Sequence, residues 1–200
     1  MATAAQIIDY WIGEAASDPG AAKRRTKMWY GSKGGVDDEI RTRFADTLAM
    51  AEDGKLDDWQ ATGEGALGLV ILLDQFSRNL YQRTADAFKN DPDAYRIAQR
   101  AIERGQDKDL SWTGRAFLYH PFHHSESLDA QNKGVELFEA LRLETPEPWW
   151  EILDGFLDAT REHRDIIREF GRFPHRNRVL GRKSTPEEQA YLENAKTYGQ

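Results

Sequence analysis

Cysteine is absent from this chain of 200 residues. That absence excludes disulfides, thiol catalysis and cysteine-ligated zinc. Long hydrophobic runs are missing as well: the longest, Ala66 to Leu73, is far too short to span a bilayer. Met1 to Gly13 carries no basic residue and only a short apolar stretch, so it does not read as a secretory signal. Together these features fit a cytoplasmic protein with no membrane partner. β-Branched runs of period two are lacking, which argues against a sheet. Neither a glycine-rich phosphate loop nor a nucleophile elbow occurs, and no internal repeat stands out. An excess of basic charge is also missing. The net charge of −7 disfavours an unspecific hold on nucleic acid or anionic membrane.

What is present is helical periodicity. Hydrophobic residues make up 40% and charged residues 30%, a globular composition long enough for one well-buried domain over residues 1–200. Ile40, Phe44, Leu48 and Ala51 share one helical face, and Gly54 sits where that helix would stop. From Glu64 to Asn79 the chain is apolar almost all round, as a central buried helix would be. Asp91-Pro92 reads as an N-cap and first-turn proline of a helix reaching Gly105. Another helix begins near Ser111 and meets Pro121, which is expected to break or kink it and expose the neighbouring histidines. Helical patterns continue over Gln131 to Leu143 and Glu147 to Phe170. Thr185-Pro186-Glu187-Glu188 has the signature of a capped helix start. The expectation is an all-α fold of about eight helices.

Charge is uneven along the chain. Arg161 to Arg182 holds seven arginines against three carboxylates, net +4, leaving −11 for the remainder. Within it, Phe170-Gly171-Arg172-Phe173-Pro174-His175-Arg176-Asn177 and Leu180-Gly181-Arg182 form a donor-rich turn that cannot be a regular helix. Such a turn suits a small anion or an acidic peptide. Its bland reading is a helix C-cap braced by arginines on acidic neighbours.

Three further constellations carry polar chemistry. Asp74, Gln75, Arg78 and Asn79 end the most apolar helix, with Asp74 and Arg78 four apart. They form either an internal salt bridge or a pocket floor in which Asp74 orients Arg78 toward a ligand. His120, His123 and His124 cluster around Pro121, with Glu126 and Gln131 beyond. His120 and His124 have the spacing of a metal-ligand pair, and Glu126 is a candidate third ligand. No His-Glu-x-x-His signature or fourth ligand accompanies them, so no metal site is assigned. His124 also reads as a general base held by Glu126. His163 lies on a partly apolar helical face, where a satisfied core histidine is the ordinary reading. The pairs Tyr10-Trp11 and Trp149-Trp150 are expected in a core or interface, which leaves room for a homodimer.

These residues together resemble the bacterial domain-of-unknown-function family 924 (DUF924), over nearly the whole chain. The resemblance rests on Tyr10, Trp11 and Gly13; Asp37, Ile40 and Phe44; Leu73-Asp74-Gln75-Phe76 with Arg78-Asn79; Pro121, His124-Ser125-Glu126 and Gln131; and His163. It continues through Phe170 to Asn177, Leu180-Gly181-Arg182 and Ser184 to Glu188. It implies helix pairs stacked antiparallel in a tetratricopeptide-like superhelical domain. His120 and His123 stand where the family pattern is usually apolar, which weakens the metal reading. The expected function is binding of a small anionic metabolite, with catalytic roles for His124, Glu126 and His175 if hydrolase-type acid–base chemistry occurs. Asp74, Gln75, Arg78, Asn79, Gln131, His163, Arg172, Arg176, Asn177 and Arg182 are the candidate binding residues, and no cofactor is called for. The alternative is a non-catalytic interaction module of the tetratricopeptide-like kind.

Overall fold

The computed structural model describes residues 1–31 and 35–193. Among the described residues there are nine helices and no strand. Helix α1 is Ala4–Trp11, α2 Pro19–Tyr30 and α3 Val36–Glu52. Helix α4 runs over 63–80. It comprises an α-helical part, Gly63–Val70, a π-helical turn, Ile71–Phe76, and a closing α-helical turn, Ser77–Leu80. Helix α5 is Asp91–Glu103, α6 Trp112–His124, α7 Leu128–Glu144, α8 Trp150–Phe170 and α9 Pro186–Leu192.

Local chemistry sets most of these boundaries. Thr3, Asp18, Thr62, Ser111, Ser127 and Thr185 each accept a backbone N–H of their own first helical turn. At Thr185 the box is reciprocal, because the Glu188 carboxylate also accepts the Thr185 N–H. Helix α8 stops at Gly171 in the left-handed region, φ 69°, where a side chain would be strained.

Two boundaries differ from the sequence expectation. Asn90, not Asp91, occupies the cap position of α5, so the Asp91 carboxylate is available for other work. Helix α6 runs through Pro121 to His124, and His120 and His123 are buried rather than exposed. Only one turn follows the proline, and side chains capture the carbonyls at that end. Gln131 Nε2 donates to the carbonyls of His123 (2.8 Å) and Ser125 (2.7 Å). Arg176 Nη2 donates to that of His124 at 3.0 Å.

Helix α4 lies in the centre, apolar all round as its sequence predicts. Trp11, fully buried, meets Phe76 edge-on at 5.5 Å and Phe117 at 6.0 Å. Trp29 meets Phe117 at 4.8 Å and donates its indole N–H to the Trp11 carbonyl at 2.9 Å. These contacts lock α1, α2, α4 and α6 into one aromatic cluster, whose edge-to-face pairs each add about 0.5–1.5 kcal/mol beyond burial. Ile166, Ile167 and Phe173 form a smaller cluster under α9.

Gly65 in the first turn of α4 packs against the Trp59 carbonyl, where a Cβ would collide with backbone. Gly65→Ala is therefore expected to destabilise the fold by about 1–3 kcal/mol, as overpacked interiors do. Denaturant unfolding measures it, and an unchanged midpoint would contradict this packing.

Candidate functional site

A cavity of about 1300 Å³ opens among α2, α4, α6, α8 and the turn at Pro174–Arg176. Its walls include the rings of Trp29, Tyr30, Phe88, Phe156 and Phe173. All five histidines of the chain, His120, His123, His124, His163 and His175, line it. Five titratable rings converge there from three separate segments.

The π-helical turn of α4 provides the floor. Such turns widen a helix and shift the bearing of its side chains, and they recur at functional sites. Asp74 is fully buried, and its Oδ1 lies 2.6 Å from His124 Nδ1. Gln75 Nε2 donates to Asp74 Oδ2 at 2.5 Å. His124 is thus held by Asp74 and not by Glu126. The His124 Nε2 atom faces His123 Nε2 at 3.1 Å. His120 Nδ1 lies 2.7 Å from the Ala116 carbonyl, which can only accept, so this nitrogen carries the hydrogen. Its Nε2 then accepts from the Tyr30 hydroxyl at 2.8 Å. Tyr30 remains 55% exposed overall, with its hydroxyl turned inward. His163 Nδ1 donates to the His123 carbonyl at 3.0 Å.

Two buried arginines flank the floor and share one carboxylate. Arg78 meets Asp91 in a two-point contact, Nη1 to Oδ1 at 2.9 Å and Nη2 to Oδ2 at 3.1 Å. Arg176 Nη1 reaches Asp91 Oδ2 at 3.2 Å. The Arg176 guanidinium lies between the rings of Phe88 and Phe173, 4.4 Å from each centroid. Its buried Nε has no hydrogen-bond partner among the described residues. Beyond Arg176 a second cavity of about 440 Å³ shares Phe88, His124 and Arg176 with the first. At the floor's edge Asn79 Nδ2 donates to Asp37 at 2.6 Å.

The rest of the basic turn faces elsewhere and serves as a brace. Arg172 donates to both Glu188 oxygens (2.6 and 2.8 Å) and to the Lys183 carbonyl. Arg172 does not line the large cavity. Arg182 grips both oxygens of Glu126 (2.6 and 3.0 Å), and Glu126 also accepts the Phe173 N–H at 2.8 Å. Asn177 joins Arg182, Ser184 and Glu188. Gln131 caps α6, as described. Arg172, Asn177, Arg182, Glu126 and Gln131 do not line the large cavity and bond instead to other groups of the fold. The cavity brings together Gln75, Arg78, Asn79, His124, His163, His175 and Arg176, with Asp74 immediately beneath. No group of three or more His, Asp or Glu among the described residues is arranged to hold a metal ion. The His120 and His124 nitrogens instead point at the partners given above.

Sequence reasoning missed Tyr30, Thr160 and the structural role of Asp91. His123 Nδ1 lies 3.0 Å from Thr160 Oγ1 on α8. Thr160 stands three residues before His163 on one helical face. That spacing was the available signal, and it is weak.

Burial pushes every histidine down from the ordinary value, because a charged imidazole loses water there. His120 is lowered, and His123 and His124 are lowered well below it. His163 falls to about 4 and His175 to about 3. Positive charge on Arg78 adds to the depression in all five, and that on Arg176 adds to it at His124, His163 and His175. Arg176 itself is lowered to about 10, by burial first. Burial thus keeps the five rings neutral, while Asp74 and Asp91 offset the charge of the two arginines beside them.

An all-α protein with a histidine-lined interior cavity is the class that fold and site define. The family described as bacterial protein of unknown function (DUF924) matches residues 7–196, and the chain belongs to that family. A solved structure, the protein of unknown function ATU0120 from Agrobacterium tumefaciens, is 37% identical, with a TM-score of 0.81. The likeness covers 96% of this chain and 97% of that one. No curated protein matches.

The lowered histidines make stability depend on pH. A free imidazole titrates near 6.5 and the His163 ring at about 4, so the unfolded chain binds more protons between these values. The contribution is complete above pH 6.5 and is lost as pH falls toward 4. His163 alone should remove roughly 2 kcal/mol between pH 7 and pH 5. Urea unfolding at the two pH values should show a smaller difference in His163→Gln than in the parent protein. Equal differences would contradict the assignment.

Proposed function

We propose that the chain binds a small anionic molecule in the histidine-lined cavity. The observation that carries this reading is the convergence of all five histidines with Arg78 and Arg176 on one cavity of about 1300 Å³. Buried guanidinium groups favour an anion there, and the aromatic walls favour a flat or apolar body attached to it. Imidazoles kept neutral at pH 7 are suited to accept or relay protons, so hydrolase-type acid–base chemistry is compatible with the site. His124 and His175 are the residues assigned to it, with Asp74, rather than Glu126, in the positioning role.

Several coarser features are consistent with this reading. No helix among the described residues is long and apolar enough to cross a membrane. Consecutive helices α6, α7 and α8, joined by short loops, support a tetratricopeptide-like stack. An interaction module would instead present its polar groups on an open groove, and here the key groups are buried. A cytoplasmic location and a homodimer remain part of the proposal.

A thermal-shift screen against inorganic phosphate, phosphate esters and small carboxylates tests the reading. A binder at about 100 times its dissociation constant adds roughly 2.7 kcal/mol of stability. That shift should vanish in Arg176→Met. It should persist in Arg172→Ala, even though loss of the Glu188 contact lowers the melting temperature of the unliganded variant. No shift with any anion, or loss in Arg172→Ala alone, would overturn it.

A further inference from the structure

Helix α6 sets two buried imidazoles nitrogen to nitrogen, with His123 Nε2 3.1 Å from His124 Nε2. The second nitrogen of each ring is also engaged. His124 Nδ1 is 2.6 Å from Asp74 Oδ1, and His123 Nδ1 is 3.0 Å from Thr160 Oγ1. Thr160 Oγ1 lies in turn 2.8 Å from the Phe156 carbonyl. The result is a chain of four contacts, Asp74 to His124 to His123 to Thr160 to Phe156.

Each contact needs one hydrogen between its two heavy atoms. The Phe156 carbonyl only accepts, so the Thr160 hydroxyl hydrogen is committed to it. Thr160 Oγ1 therefore accepts from His123 Nδ1–H. An ionised Asp74 only accepts, so His124 Nδ1–H donates to it. Two neutral imidazoles have now spent their single N–H groups, and their Nε2 lone pairs would face each other across 3.1 Å. An ionised carboxylate, two neutral rings and one hydroxyl supply three hydrogens for four contacts. A fourth hydrogen closes the chain, either as an imidazolium beside the Asp74 carboxylate or as a protonated Asp74 beside two neutral rings.

We propose that Asp74, His124, His123 and Thr160 form a proton-loaded acid at the floor of the cavity, holding one extra exchangeable hydrogen at neutral pH. Groups around the chain fix its charge. Arg78 Nη1 lies 3.2 Å from Asp74 Oδ1, and Gln75 Nε2 donates to Oδ2. Arg176 and His163 donate to the carbonyls of His124 and His123. The His120 ring lies 4.7 Å from that of His123. Loaded, the chain is neutral overall. The two arginines oppose the added proton, which is favoured by the hydrogen bond it completes between two buried acceptors. Both rings line the cavity, but all four ring nitrogens are engaged within the chain, so the stored hydrogen reaches the anion of the proposed function, on which this role rests, when one of these ring contacts opens. In that step a ring N–H bond breaks, its electron pair stays on nitrogen, and an O–H bond forms on the ligand. The chain is left one unit more negative and takes a proton back from solvent water, which leaves as hydroxide.

The proton count is measured without ligand, so its failure and the failure of anion binding are separate results. Imidazole nitrogen shifts of His123 and His124 and the carboxyl carbon shift of Asp74 are recorded by NMR at pH 7. The expected result is one extra hydrogen among the three groups. In Thr160→Val, His123 Nδ1 loses its acceptor and the ring can carry its hydrogen on Nε2. The chain then closes with one hydrogen fewer, and the extra one should be gone at the same pH. Asp74→Asn gives a second check, since its amide N–H supplies the missing donor and both rings should read as neutral. Two neutral rings beside an ionised Asp74 in the parent protein would overturn the proposal. So would an extra hydrogen that survives in both variants.

Discussion

Asp91 holds this structure together by accepting two guanidinium groups at once. Arg78 arrives from the end of α4 and Arg176 from the turn after α8, while Asp91 itself opens α5. Three remote segments are thereby fixed around one buried carboxylate. Arg176 then reaches the His124 carbonyl, so the same contact also secures the end of α6. Removing one partner of such a buried pair typically costs about 3–5 kcal/mol, because it strands the other charge. The cavity exists in its present shape because this cluster is satisfied.

The same cluster sets the electrostatics. Two buried cations share Asp91, with Asp74 close by. Burial first, reinforced by these cations, holds the histidines well below the ordinary range, and burial lowers Arg176 itself to about 10. A fold that needed only mechanical strength would gain little from five histidines on one cavity wall. The proposed recognition of negative charge and movement of protons rests on their convergence. The mechanical work falls to the outer arginines, Arg172 and Arg182, which pin Glu188 and Glu126 and so tie down α9 and the turn.

Local patterns were the legible part of the sequence. The all-round apolar stretch of α4, the stop at Gly171 and the capping box at Thr185 each follow from residues within a few positions of one another. The brace made by Arg172 was also within reach, as the bland reading of the basic turn. Long-range partners were not. Glu126 is close in sequence to His124, which made the pair attractive, yet its carboxylate is taken by Arg182, fifty-six residues on. Asp91 looked like a cap because Pro92 follows it, while Asn90 fills that position. Pro121 reads locally as a helix breaker, but the helix continues to His124 and donors from α7 and from the turn after α8 satisfy the carbonyls at that end. Thr160 gave almost no signal, since a helical threonine ordinarily bonds only its own backbone.

The central claim is that the cavity recognises a negatively charged small molecule through its arginine-bordered, histidine-lined interior. The most direct test is an NMR titration that follows the side-chain nitrogens of all five histidines as phosphate esters and small carboxylates are added at pH 7. The account predicts that one such anion shifts all five sets of signals together, saturably and with a single dissociation constant. Saturable binding that leaves the histidine signals in place, or the absence of any response across the panel, would contradict it.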